Sequence, residues 1–167
     1  ESIPETGDSF KSNALQKAVY LASYTNYPII ADDSGLVVDA LNGEPGIYSA
    51  RYAGDESDDD DNIDLLLHRM MHKKNRKAYF HCSLIYLDPD DTSNPVLIET
   101  KWHGIICSEK SGDKGFGYDP IFFIPELGKT SAELSVYEKN KYSHRGQAMK
   151  ILIERLTEDN LISFKES

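Results

Sequence analysis

Paired cysteines, surplus positive charge and long apolar runs are all scarce in this 167-residue chain. Its two cysteines, Cys82 and Cys107, allow at most one disulfide, and two free thiols in a reducing cytosol are the expectation. Eighteen Lys and Arg stand against 28 Asp and Glu, a formal charge of -10. That balance argues against a nucleic-acid partner, whose phosphate backbone calls for a basic surface. It leaves room for a small phosphorylated ligand, since a divalent cation can bridge acids and phosphates. No stretch approaches the roughly 18 apolar residues of a membrane helix, so no membrane partner and a cytoplasmic location are expected. The strongest apolar run, residues 121–124, is closed by Pro120 and Pro125.

Several catalytic signatures are also missing. G-x-S-x-G is absent, and neither cysteine sits in a nucleophile motif. Gly115 and Gly117 begin a G-x-G-x-x-G pattern, but Pro120 takes its third glycine place. An EF-hand starting at Asp55 needs Gly at its sixth place and Glu at its twelfth, where Asp60 and Leu66 stand. His68 and His72 have helical spacing, yet Arg69 occupies the glutamate place of HExxH. These histidines, with His81 and His103, read as structural.

What remains reads as one α/β domain over residues 1–167, without repeats or linkers. Phe10, Ala14, Leu15, Ala18, Leu21 and Ala22 fall at helical spacing, which predicts a helix over residues 9–24 capped by Ser9. Residues 27–31 and 36–39 predict two short strands around an Asp-Asp-Ser-Gly turn, and residues 45–54 a loop with aromatic anchors. The acidic run 58–61 precedes Ile63, Leu66, Leu67, Met70 and Met71 at helical spacing, so it caps a second helix. Residues 79–87 and 96–107 predict long strands, and 121–124 a fifth. Thr130 with Glu133, and Ser135 with Glu138, fit capping boxes; a last helix is expected over 143–156. The opening ESIPETG reads as a loop entering a helix, so an amino-terminal element is expected to be missing.

The chemistry gathers in four places. Asp32 and Asp33 are adjacent carboxylates beside Ser34 and Gly35: either a solvated turn, or a charged pair that needs a compensating cation. Glu5 is by default a loop acid. Lys17 lies near the apolar face of the first helix, where it can reach a phosphate over the helix end. GDKGFGYDP sets Phe116 and Tyr118 beside Asp119; the aromatics either pin a loop or form a purine pocket with a carboxylate acceptor. SHRGQA puts Ser143, His144 and Arg145 at a helix start, with Lys139 upstream: capping and surface charge, or an anion site. Acids for a metal, cations for phosphate and aromatics for a base favour Mg²⁺-dependent nucleotide chemistry over covalent catalysis.

ADDSGLVVDALNGEPGIYSARYAG, GFGYDPIFF and EKNKYSHRGQA, in this order, closely resemble the inosine/xanthosine triphosphate pyrophosphatases. The resemblance runs from PETG to the last helix. It implies a mixed α/β fold with a long, strongly bent central sheet and two lobes around a nucleotide cleft. It implies Mg²⁺-dependent hydrolysis of ITP, dITP and XTP to the monophosphate and pyrophosphate, by a homodimer. By position, Asp33 matches the catalytic aspartate, Asp32 a support of the metal site, Glu5 a metal-associated glutamate and Lys17 a phosphate contact. Ser34 matches a substrate contact; Phe116, Gly117, Tyr118 and Asp119 match the base-reading stretch; Lys139, His144 and Arg145 match contacts near the 6-keto edge. The family's opening strand and S/T-x-G-N-x-x-K phosphate loop have no counterpart here. A catalytically silent purine nucleotide binder, or a same-fold pyrophosphatase for other modified nucleotides, are the alternative readings.

Overall fold

Helix α1 (Phe10–Ala22) begins where Ser9 and Ser12 form a reciprocal capping box, their side chains each accepting from the other's backbone N–H. Its Ala14 and Ala18 are fully buried, and these small side chains let the helix lie close against a sheet. The computed structural model describes Ile3 and residues 5–159.

That sheet has five strands in the order β1-β2-β3-β4-β5, antiparallel throughout. They are β1 (Ile29–Val38), β2 (Lys77–Leu87), β3 (Val96–Ile106), β4 (Phe122–Ile124) and β5 (Lys129–Thr130). The predicted Asp-Asp-Ser-Gly turn does not exist: β1 runs straight through it, each residue paired with β2 from Ile29↔Leu87 to Val38↔Ala78. Turn propensity is a local preference, and a full ladder to β2 overrides it. The segment 46–51, expected as a loop, is a 3-10 helix.

Alternation along the strands sorts the core onto two faces. On one face Ile29, Ala31, Ile85 and Leu87 pack against Ala14 and Ala18 of α1. On the other, Cys82, Leu84 and Ile98 pack against Ala148, Leu152 and Leu156 of the last helix. A third cluster joins Phe80, Trp102 and Phe122 of the sheet to Ile63, Leu66 and Met70 of α2 (Asp59–Met70). Both predicted carboxy-terminal capping boxes form. Thr130 and Glu133 start a single 3-10 turn, and Ser135 and Glu138 start α3 (Val136–Tyr142). Ser143 then caps α4 (His144–Glu158), accepting from Gly146 N–H. Among the described residues no helix is long and apolar enough to cross a membrane.

Candidate active site

Because β1 is continuous, its two adjacent acids face opposite ways. Asp33 turns toward α1. Its Oδ1 accepts from Lys17 Nζ at 3.0 Å and its Oδ2 from Asn13 Nδ2 at 3.1 Å. Asn13 and Lys17 are four apart on α1, hence on one helix face. The amide of Asn13 is itself fixed, its Oδ1 accepting from Gly7 N–H at 2.8 Å. Lys17 Nζ also donates to the Asp32 carbonyl at 3.1 Å and pairs with Glu5 Oε1 at 2.6 Å. Burial works against the Lys17 charge, but Glu5 and Asp33 outweigh it and hold the ammonium pKa above its usual value. Arg51, at the end of the 46–51 helix, is 3.9 Å from the other Glu5 oxygen.

Asp32 turns toward α4. Its Oδ2 accepts from Arg145 Nε at 2.8 Å and from Ser34 Oγ at 2.8 Å. The repulsion implied by neighbouring carboxylates is thus met by geometry: each acid has its own protein cation on its own face. The strand passes closely between these groups and the 46–51 helix. A side chain at Gly35 would meet the Gly46 carbonyl, Ser49 Oγ and the Phe10 ring, all within 2.8 Å of a Cβ there. Ser49 Oγ accepts from Leu36 N–H at 2.9 Å and so covers the outer edge of β1.

On the α4 side of β1 lies a cavity of about 190 Å³, lined by Ser34, Phe80, Phe116, Asp119, His144 and Arg145 among others. That is below the roughly 300 Å³ of pockets for drug-sized ligands, so it suits one ring system of a larger molecule. Asp119 is buried; its Oδ2 accepts from Phe116 N–H at 2.9 Å and pairs with Lys139 Nζ. Gly115 permits this, with φ +83 and no side chain to displace the Asp119 carboxylate. Lys139 Nζ stands 4.3 Å from the Phe116 ring centroid and the Arg145 guanidinium 5.7 Å, while Phe116 itself is 62% exposed. Such an aromatic ring, largely open to solvent with cations near its face, offers a surface on which a flat group can stack. Tyr118 is buried instead: its hydroxyl donates to the Ser49 carbonyl at 2.9 Å and burial raises its pKa. It pins the loop, whereas Phe116 lines the opening.

His144 stacks on Phe80, centroids 5.0 Å apart, and its Nδ1 is buried without a partner. Burial, with Arg145 adding to it, pushes its pKa down to about 3, so the ring is neutral at physiological pH. Thr100 Oγ1 donates to the His144 carbonyl at 2.7 Å and anchors the start of α4 to the sheet. Asn13, Ser49 and Asp59 are site neighbours that the sequence reading passed over. The spacing of Asn13 to Lys17 carried the signal for the first. Nothing local marks Asp59, whose Oδ2 accepts from Gly117 N–H, 58 residues away, at 2.6 Å. A larger hollow beside Asp39, Lys77, Tyr79, His103 and Glu126 contains none of the candidate site residues.

Residues 1–155 match the model of the Ham1 family. The chain belongs to the Ham1 family. The dITP/XTP pyrophosphatase of Pectobacterium atrosepticum is 52% identical over 158 residues, covering 93% of this chain and 80% of the relative. That of Escherichia coli K12 is 49% identical with the same coverage. Among solved structures, a HAM1 protein from Coxiella burnetii superposes with TM-score 0.90 at 42% identity, over 95% of this chain and 81% of that one. The Ham1 protein of Staphylococcus aureus gives TM-score 0.89 at 43% identity, over 95% and 82%. The expected α/β fold is thus that of solved Ham1 proteins. The candidate site residues read from the sequence fall in two places in this Ham1 chain: the carboxylate–lysine cluster on the α1 face, and the aromatic cavity and its rim on the α4 face.

Proposed function

We propose that this chain hydrolyses deaminated purine nucleoside triphosphates, ITP, dITP and XTP, to the monophosphate and pyrophosphate, and so cleanses the nucleotide pool. The observation that carries the reading is the placing of two unlike half-sites on either side of one strand. The cavity beside Phe116 takes the base. The Glu5–Lys17–Asp33 cluster takes the phosphates, and Ser34 lies between the two.

In this reading the base stacks on Phe116, with Lys139 and Arg145 at its edge. Their N–H donors meet the 6-oxo group of hypoxanthine or xanthine, whereas the 6-amino group of adenine would set donor against donor. The neutral His144 offers its unpartnered Nδ1 to the same ligand. Asp33 is the general base. Both its oxygens already hold one donor each, which fixes the carboxylate, and a lone pair remains on each to take a proton from water attacking the α-phosphorus. Lys17 keeps Asp33 ionised and donates to phosphate oxygens as the polyphosphate arrives.

Mg²⁺ suits the same cluster. Glu5 and Asp33, the two carboxylates paired with Lys17 on the phosphate side, would be the ones to hold it. Among the described residues no three His, Cys, Asp or Glu side chains form a site of their own. In this reading phosphate oxygens and water would complete the cation's coordination. When bound it would neutralise charge developing on the phosphates. Exposed Tyr24, Tyr27 and Ile30 around the α1–β1 connection supply apolar surface for a second copy, in keeping with a homodimer.

The test is pyrophosphate release from ITP, dITP, XTP and ATP with Mg²⁺ varied. The three deaminated nucleotides should turn over and ATP hardly at all, with no activity when Mg²⁺ is chelated. Tight ITP binding without turnover would instead establish a silent nucleotide binder. Turnover confined to other modified nucleotides would keep the fold's chemistry and refute the purine assignment.

A further inference from the structure

Asp32 is next to Asp33 in the chain but shares none of its side-chain partners. Its Oδ2 holds Arg145 through Nε, and Ser34 Oγ braces the same oxygen. An arginine held at Nε keeps both terminal amino groups for another acceptor, and among the described residues neither of them donates to a protein group. The guanidinium meanwhile overlooks the Phe116 ring from 5.7 Å. A long, half-exposed arginine has many rotamers to lose, and a charge-assisted bond to a braced carboxylate removes that freedom before a ligand arrives. Lysine in its place would spend its single ammonium on Asp32 and lack a fixed second donor. The Glu5–Lys17–Asp33 cluster, by contrast, lies on the opposite face of β1.

We propose that Asp32 is a positioning residue for base selection: it fixes Arg145 with its free amino groups toward the cavity, and it is not a ligand of the divalent cation. This rests on reading the cavity as a purine site.

The test is a mutant cycle of Asp32→Ala, Arg145→Ala and the double variant, with kcat/KM measured for ITP and ATP at saturating Mg²⁺. Asp32→Ala should narrow the ITP over ATP preference about tenfold, the scale of one charge-assisted hydrogen bond, with the loss falling more on KM than on kcat. The double variant should select no worse than Arg145→Ala alone, because the two residues act as a unit. Asp32→Glu should recover part of the preference. The Mg²⁺ concentration for half-maximal rate should stay near that of wild type in Asp32→Ala and rise in Glu5→Gln. IMP and AMP binding without Mg²⁺, measured for the isosteric Asp32→Asn, gives the same selectivity independently of turnover. Multiplying losses in the double variant, or a shifted Mg²⁺ dependence with selectivity intact, would overturn the proposal while the purine reading stands. A wild-type chain that binds and cleaves ITP and ATP alike would overturn both.

Discussion

Asp33 gains its character from three side chains that the backbone delivers to it. Lys17 and Asn13 come from one face of α1, and Glu5 closes on Lys17 from the segment before it. Asp33→Asn keeps the shape and removes the proposed base. Turnover should fall by about a hundred- to ten-thousandfold, the usual worth of a general base, with nucleotide binding largely kept. Steady-state rates beside a calorimetric titration check both halves, and normal turnover would refute the role. Arg145→Ala should lose the preference for ITP over ATP, and an unchanged ratio would refute base reading. His144 makes a prediction of opposite kind. Its folded pKa, about 3, lies below the ordinary histidine value, so the unfolded chain binds the extra proton. Its contribution to stability is full above about pH 6.5 and fades as the pH falls from there toward about 3. Urea midpoints followed from pH 7 to pH 4 should drop less steeply in His144→Asn than in wild type.

At the scale of elements, α2 shows how an acidic run is divided. Asp58 caps the helix, accepting from Asp61 N–H at 2.9 Å, and Asp61 returns the bond. Asp59 holds the Gly117 N–H of the aromatic loop, and Asp60 pairs with Lys110 at 2.8 Å. Asp58→Ala should therefore cost about 1 kcal/mol of stability, read from urea unfolding, and leave selectivity alone. Asp59→Ala should raise KM for ITP by freeing the Phe116–Gly117 loop; an unchanged KM would show that the loop holds itself. The capping role was legible in the sequence, since acids before an apolar periodic stretch carry that meaning locally. The clasp on Gly117 was not, because it joins segments 58 residues apart. Likewise Asp32 to Gly35 carry turn propensity, and only pairing with Cys82 to Leu84 and His81 of β2 makes them strand. With the turn gone, alternation separates the two acids, which no reading of their adjacency could anticipate. The cap at Ser9 and the capping boxes at Thr130 and Ser135 were legible for the opposite reason: each lies within four residues.

Over the described residues the sheet carries α1 on one face and α4 on the other, and the candidate groups on β1 reach toward both. That arrangement explains how a chain of formal charge -10 can receive a polyanion: the cations Lys17, Lys139 and Arg145 converge on β1 and its cavity, each already paired with an acid that holds it in place. The central claim is the bond broken and the base that permits it. Phosphorus NMR of ITP and of ATP with Mg²⁺ in ¹⁸O-enriched water tests both together. The account predicts pyrophosphate and IMP from ITP, the label carried by IMP, and almost no reaction of ATP. Inorganic phosphate with IDP, label in the pyrophosphate, or equal consumption of ATP would contradict it.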